Sequence, residues 1–395
     1  MAHAKPLGGK LVSWPVMFFA PFVAICTFVI VHRMFFGIGA VTGLNGGYPW
    51  GLWIAFDLLV GTGFACGGWA LAWVVYVFNR GEYHPLVRPA LLASLFGYAL
   101  GGLSITLDMG RWWNMPYFFL PSHFNVNSVL FETALCMTIY IGVLVLEFAP
   151  AVLEKLGWQL SLKKLNKFMF AVIALGALLP TMHQSSMGSL FIVAGEKIHP
   201  LWQSYELLPV FSLLTAFIMG FSIVVFEGSL VRAGMRGNSP DETPLFYRLT
   251  QVLDLFLISF VVLRFGELVL TNKVSHLASW DRYCVMFWAE TLLLLFPLLV
   301  FHWDRLRRDA RFLFAGALSM LIGTAMWRIN LSLLAFNPGD GYHYFPKTEE
   351  LLLSLGLIAI EVSAYLLIVR LVPVLPALDR IHHGQQAKQQ NRGKS

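Results

Sequence analysis

The stretch SVLFETALCMTIYIGVLVLEFAP (128–150) decides the fold. It is long and apolar enough to cross a bilayer as a helix, for which about 20 residues suffice, yet it carries Glu132 and Glu147 inside it. A charge in hydrocarbon is costly, so acids within a membrane helix face a protein interior or a wet path and usually mark function. The two glutamates lie roughly 22 Å apart along a helix axis and within about 60° of one face. Two carboxylates so placed suit the two ends of a proton route. The plainer alternative is one glutamate paired to a neighbouring helix and one solvated at the interface.

The same pattern repeats outward in both directions. Apolar spans fall at 13–36, 52–78, 88–108, 126–149, 166–187, 203–226, 249–270, 283–302, 311–336 and 350–372. Buried within them are Asp57, His183, Arg264, Glu267, Glu290, Arg328 and Glu361. The chain is 57% hydrophobic and 13% charged, against about 25% charged in a soluble domain. The expected fold is an all-α polytopic membrane protein of about ten transmembrane helices. Residues 1–378 form one integral membrane domain, and the polar tail 379–395 is expected to be disordered. Met1 to Lys10 lacks a cleavage pattern, so the first span is read as a retained helix.

Lysine and arginine crowd the loops on the side of the N-terminus, as in NRGEYHPLVRP (79–89), and are sparse on the other side. The positive-inside rule then places both termini in the cytoplasm. The net charge of +6 reflects this topology and gives no reason to expect a nucleic-acid partner. The opposite loops GLNGGYPWG (43–51), RWWNMPYFFLPSHFN (111–125) and NPGDGYHYFP (337–346) are rich in glycine, proline and aromatics. Such residues anchor a chain at the interface or form a docking surface.

A weak repeat runs through the chain. FMFAVIALGALLPTMHQSS (168–186) resembles FLFAGALSMLIGTAMWRIN (312–330), and Glu132 in VLFETALCM parallels Glu290 in VMFWAETLL. Helices 2–5 and 6–9 would then be two four-helix bundles in parallel, with helices 1 and 10 flanking them. Chance likeness between apolar helices is the alternative.

Topology sorts the ionisable residues by depth. Asp57, Asp108, Glu132 and His183 all fall in the outer half, Tyr98 lies near mid-membrane, and Arg111, His123 and Asn127 sit at the outer end. Such groups bind a quinone carbonyl by hydrogen bonds and exchange protons with it. Glu132, His183 and Tyr98 are the candidates for proton exchange. Asp57, Asp108, Arg111, His123 and Asn127 are the candidates for the pocket. Glu147 and Glu227, with Asp254 near the inner face, are candidates for the proton path. A structural network stapling helices 2–5 is the competing reading. Arg264 and Glu267, at i and i+3, can neutralise one another, and Arg328 can pair with Glu290 or Glu361.

Metal chemistry has little support. Cys26, Cys66, Cys136 and Cys284 all lie in spans and form no CxxC pair, so they read as packing residues rather than cluster ligands. Covalent haem would need CxxCH. A b-type haem needs two facing histidines, and His32 with His183 is the one possible pair, so intrinsic haem is not expected.

The segments GGYPWGLWIAFDLLVGTGFACGGW (46–69), FNVNSVLFETALCMTIYIGVLVLEFAP (124–150), HQSSMGSL (183–190) and HPLWQSYELLP (199–209) carry a family resemblance. The chain resembles the NrfD-like (polysulfide reductase membrane subunit) family, in particular the membrane subunits of periplasm-facing [NiFe] hydrogenases. The resemblance implies two four-helix bundles, no redox centre in this chain, and a quinone held near the outer face. It assigns Asp57, Tyr98, Asp108, His123, Glu132 and His183 to a quinone and proton site in the first bundle. It implies a bacterial inner-membrane subunit that takes electrons from a periplasmic iron–sulfur subunit. The [NiFe] hydrogenase large and small subunits would be the further partners, and menaquinone or ubiquinone would be reduced. Alternatives are a haem-bearing b-type cytochrome subunit of the same hydrogenase, a proton-coupled transporter, and a passive anchor.

Overall fold

A computed structural model describes residues 4–235 and 242–376. The tail 379–395 lies outside the described residues. Ten long helices follow the ten apolar spans. They are α1 (Trp14–Phe36), α2 (Trp53–Val77), α3 (His84–Asp108), α4 (Val129–Leu156) and α5 (Gln159–Ala194), followed by α6 (Leu208–Met235), α7 (Thr243–Leu270), α8 (Arg282–His302), α9 (Ala310–Leu334) and α10 (Thr348–Leu371). Among the described residues, nine helices are long and apolar enough to cross a membrane. The long helix outside that set is α7, whose Arg248, Asp254, Arg264 and Glu267 dilute its apolar run. The fold is therefore an all-α polytopic membrane protein, as expected.

Several helices outrun the apolar spans. α5 continues beyond 166–187 in both directions, and α4 runs on to Leu156. Apolarity marks the part of a helix inside hydrocarbon, whereas backbone hydrogen bonding continues into the polar boundary layer. α4 ends where Gly157 adopts φ 72°, a left-handed turn that suits glycine.

α2 departs furthest from regular geometry. Trp53–Val60 and Trp73–Val77 are π-helical, and a turn at Ala65–Cys66 interrupts the helix between them. Glycine-rich GTGFACGG (61–68) permits this break, and α2 is the most buried of the candidate spans. π-turns are frequent at functional sites.

Helices α2–α5 form one bundle: α2 packs on α3, α3 on α4, α4 on α5, and α5 returns to α2. Helices α6–α9 form the second, in which α6 packs on both α7 and α9, and α8 on α9. The bundles meet where α6 lies against α2 and α5. Helices α1 and α10 pair with each other, and α10 seats the pair on α2 and α3. In hydrocarbon, helix association depends on close packing of small residues. Gly188 does this on α5, since a Cβ there would press into the Leu208 carbonyl and lie 2.7 Å from the Pro209 Cα.

Gly188→Ala should therefore push α5 off α6. The expected cost is about 1–3 kcal/mol of overpacking, read as a lower midpoint of thermal unfolding in detergent. Gly142→Ala, where nothing lies within 4 Å, should leave that midpoint unchanged. Equal behaviour of the two variants would refute the close contact.

Candidate functional site

The polar residues inside the apolar helices collect into distinct groups. The first lies in the first bundle. Tyr98 on α3 is fully buried, edge-on to Tyr140 at 4.7 Å between ring centroids and 5.7 Å from the His183 ring. Its hydroxyl lies 3.5 Å from Cys66 Sγ on α2 and accepts a hydrogen bond from Gln184 Nε2 at 3.4 Å. His183 is fully buried on α5, and its Nδ1 lies 3.1 Å from the Thr133 carbonyl of α4. A carbonyl only accepts, so Nδ1 carries the proton and donates. His183 Nε2 is buried with no partner among the described residues. One residue before Thr133, Glu132 is partly exposed and accepts from Ser186 Oγ at 2.9 Å. Glu132, His183 and Tyr98 thus share one region of α3–α5.

Gln184 links this region to the second bundle. Its Nε2 also donates to Thr62 Oγ1 at 3.3 Å, and its Oε1 accepts from Arg328 Nη2 at 2.9 Å. Arg328 Nη2 also donates to the Ser212 carbonyl at 3.1 Å and to Thr215 Oγ1 at 3.3 Å, while Nη1 donates to the Leu59 carbonyl. Arg328 therefore pairs with neither Glu290 nor Glu361, the partners expected from the sequence. Its place on α9 turns it into the junction of the bundles, where the available acceptors are carbonyls, hydroxyls and an amide.

The second group lies in the second bundle. Glu290 is fully buried and forms an ion pair with Arg264. It also accepts from Trp202 Nε1 at 3.1 Å and Asn330 Nδ2 at 2.6 Å. The Arg264 guanidinium lies 4.1 Å from the centre of the Phe287 ring, a distance at which cation–π attraction operates. Arg264 does not neutralise Glu267. That acid takes Lys273 Nζ at 2.7 Å and Ser204 Oγ at 3.1 Å, because α8 brings Glu290 to Arg264 while Lys273 folds back at the end of α7. The parallel noted between Glu132 and Glu290 has a structural counterpart. Each lies on the third helix of its bundle and is hydrogen-bonded from the fourth, by Ser186 and by Asn330.

The remaining candidates are dispersed. Asp57, in the first π-turn of α2, accepts from Ser354 Oγ of α10 at 2.7 Å. Asp108 ends α3 with Oδ1 buried and unpartnered. Beside it the fully buried Arg33 of α1 donates to the Leu107 carbonyl at 2.7 Å and to the Met109 carbonyl, a favourable place for a cation at a helix C-terminus. Arg111, His123 and Asn127 are exposed, with His123 stacked on Tyr117 and 2.8 Å from Ser122 Oγ. The structure does not bring these three to the Tyr98–His183 region. Glu147 lies so close to α5 that a Cβ at Gly176 would be 2.5 Å from its Oε1. Glu227 lines a cavity between α3, α6 and α10. Asp254 is ion-paired with Arg307.

Loop 43–51 is tied down rather than free. The Gly43 N–H donates to Glu350 Oε2 at 2.8 Å, the Leu52 N–H to the Tyr344 hydroxyl at 2.7 Å, and Trp50 Nε1 to the Ser332 carbonyl at 2.8 Å. Tyr344 lies in the loop before α10, and burial followed by its hydrogen bond to Glu350 raises its phenol above the usual range. The segment Trp112–Phe119 behaves differently and exposes Trp113, Tyr117 and Phe119.

Fold and site together define a polytopic helical membrane protein whose two four-helix bundles are joined by a buried polar network. Residues 40–335 match the family model described as polysulphide reductase, NrfD, and the chain belongs to that family. It is 67% identical over 98% of both chains to a protein of Escherichia coli K12 described as probable Ni/Fe-hydrogenase 2 b-type cytochrome subunit. It is 26% identical to the menaquinone reductase integral membrane subunit of Nitratidesulfovibrio vulgaris Hildenborough, over 86% of each chain. It is 25% identical to a selenate reductase subunit of Mesobacillus selenatarsenatis, over 95% of this chain and 97% of that one.

The words "b-type cytochrome" raise the question of haem. His32, the other half of the possible pair, packs 4.8 Å from Phe36 and 6.0 Å from Phe28 of its own helix α1. His183 faces Thr133 inside the first bundle. The two histidines do not face one another, so this donor set does not fit a bis-histidine haem. Among the described residues no three His, Cys, Asp or Glu side chains group as metal ligands.

The buried pair in the second bundle yields a test. Arg264→Met should destabilise the protein by about 3–5 kcal/mol, because Glu290 is left charged and unpaired. The double change Arg264→Met with Glu290→Leu should recover most of that loss. Denaturant-induced unfolding of the purified protein measures both, and a double variant no better than the single one would contradict the pairing.

Proposed function

We propose that this chain is the membrane anchor and quinone-reactive subunit of a periplasm-facing [NiFe] hydrogenase in a bacterial inner membrane. The observation that carries the reading is the His183–Glu132–Tyr98 region, where a buried imidazole nitrogen has no partner beside a partly exposed carboxyl and a buried phenol. A quinone carbonyl needs a donor as its oxygen gains electron density, and then needs protons. The Tyr98 hydroxyl suits the first task, because His183 Nδ1 donates to Thr133 and leaves Nε2 a lone pair that accepts, as from the hydroxyl of the quinol formed. Glu132, reachable from the boundary and held by Ser186, suits the second. Tyr98 is held from two helices and would orient the headgroup. Asp57, five residues before the Thr62 that takes Gln184, would border the headgroup, and Asp108, beside Arg33, would lie further out.

The electrons would come from an iron–sulfur subunit docked on the outer loops, itself bound to the hydrogenase large and small subunits. The exposed aromatics of Trp112–Phe119, with Arg111 and His123 beside them, suit that docking better than the tied loop 43–51. The likeness to subunits named for hydrogenase 2 and for menaquinone reductase supports both halves of the reading. Menaquinone and ubiquinone are the candidate substrates. H2 itself would react in the partner, since no nickel-binding pair of cysteines occurs in this sequence.

The test is H2-dependent quinone reduction in membranes carrying Glu132→Gln, with retention of the catalytic subunits checked in the same preparation. Activity should fall by about a hundredfold or more, the scale of a lost acid–base group, with retention unchanged. Normal activity would leave Glu132 a structural partner of Ser186. Reduced-minus-oxidised optical spectra of the purified subunit test the haem alternative, and a b-type band would favour it.

A further inference from the structure

Three acids of the second bundle are held by cations: Glu290 by Arg264, Glu267 by Lys273 and Asp254 by Arg307. That is how a structural carboxylate survives in a dry interior. The flanking helix α10 breaks the pattern. Glu361 sits at the middle of α10 and faces α3, where a Cβ at Gly97 would come within 3.4 Å of its Oε1. Tyr365 lies one turn along α10 from Glu361. Among the described residues neither Glu361 nor Glu227 has an ion pair or a side-chain hydrogen bond. The Tyr365 hydroxyl is buried and likewise without a partner. Glu227, Tyr365, Glu242 and the cation Arg232 line one cavity, at the end of the bundle that carries the basic loops.

These groups are in register along one face of α10. Ser354, Glu361 and Tyr365 fall within about 40° of one another, with rises of about 10 Å and 6 Å between them. Ser354 holds Asp57 of α2 at the far end. Gly97 and Gly101 of α3 face this side of the fold, since a Cβ at Gly101 would lie 3.7 Å from the Asp57 carbonyl oxygen. One face of α10 thus places one unpaired acid and a phenol between a cavity at the basic end and an acid in the opposite half.

We propose that this face of α10 is a proton-uptake lane, in which Glu361 relays protons from the cavity at Glu227 and Tyr365 towards Asp57. The lane rests on the quinone reading above. Reducing one quinone to quinol consumes two electrons and two protons. The electrons arrive from the partner's clusters, and the lane supplies protons only. Each carboxyl accepts a proton on one oxygen and releases one from the other, so no charge remains on the lane after turnover. The longer step, between Glu361 and Ser354, would need a bridging water. Because the basic loops mark the cytoplasmic face, quinone reduction would draw its protons from the cytoplasm.

The test uses the intact hydrogenase complex in proteoliposomes of known orientation, with a pH dye on the side of the basic loops. With H2 and a soluble quinone, that side should become alkaline as quinol forms. Glu361→Gln should slow both the alkalinisation and quinone reduction by tenfold or more, Tyr365→Phe should slow them less, and Glu361→Asp should restore them. If the wild-type complex reduces quinone without alkalinising the side of the basic loops, the quinone takes up protons on the side where H2 releases them, the lane is wrong and the quinone site stands. If the wild-type complex in detergent does not reduce quinone, the underlying reading fails instead. Should Glu361→Gln fail to assemble, the sidedness of the wild type and the Tyr365→Phe variant still decide. Full activity in Glu361→Gln, with loss in Glu147→Gln, would move the route to α4.

Discussion

The guanidinium of Arg328 is the constraint on which the rest of the architecture depends. It is a buried cation whose hydrogen-bond partners are all neutral: the Leu59 carbonyl of α2, Gln184 of α5, and Ser212 and Thr215 of α6. In a low-dielectric interior such a group must be surrounded by well-placed acceptors or its cost is prohibitive. Four helices from both bundles must therefore be in position at once. Leu59 belongs to the first π-turn of α2, and Arg328 lies just before the π-turn Asn330–Leu334 of α9. Gly63 keeps the space clear, since a Cβ there would lie 2.9 Å from Arg328 Nη1.

That junction also sets the geometry of the candidate site. Gln184 accepts from Arg328 and donates towards Tyr98 and Thr62, so its amide orientation is decided by the second bundle. The neighbouring residue on α5, His183, turns to Thr133 of α4 instead. Consecutive residues on one helix thus connect two different partners, which fixes the rotation of α5 between them. The second bundle carries its own glutamate, Glu290, but satisfies it with Arg264, Trp202 and Asn330. The two bundles share a layout, and the difference between them is chemical: one acid is neutralised inside the fold, and the other is left near the boundary with a single hydroxyl donor.

Much of the candidate site was legible in the sequence, for a simple reason. An ionisable residue inside a long apolar run is conspicuous, and helix direction then gives its depth. Glu132, His183 and Tyr98 were found in that way, and the structure places them together. Gln184 was not found, because an uncharged amide beside a histidine does not stand out, although any polar residue deep in such a helix is a usable signal. Arg111, His123 and Asn127 share the right depth but lie on an exposed loop, and depth alone carries no lateral information. Arg33, near the end of the first apolar span, is fully buried against the end of α3, a contact between distant segments that no local pattern gives.

The sequence by itself determined the number of the long helices, the class of protein, and which residues had to be accounted for as buried charges. These follow from hydrophobic length and charge placement, which are properties of the chain taken one segment at a time. Only the tertiary structure decided the pairings: Arg264 with Glu290 and not Glu267, Arg328 with carbonyls and Gln184 and not an acid, and Glu361 with no cation among the described residues. Pairing depends on how each helix is rotated about its axis and which neighbours it meets. In a chain whose helices are apolar on nearly every side, that rotation is set by glycine contacts and polar acceptors distant in sequence, so no local pattern reveals it.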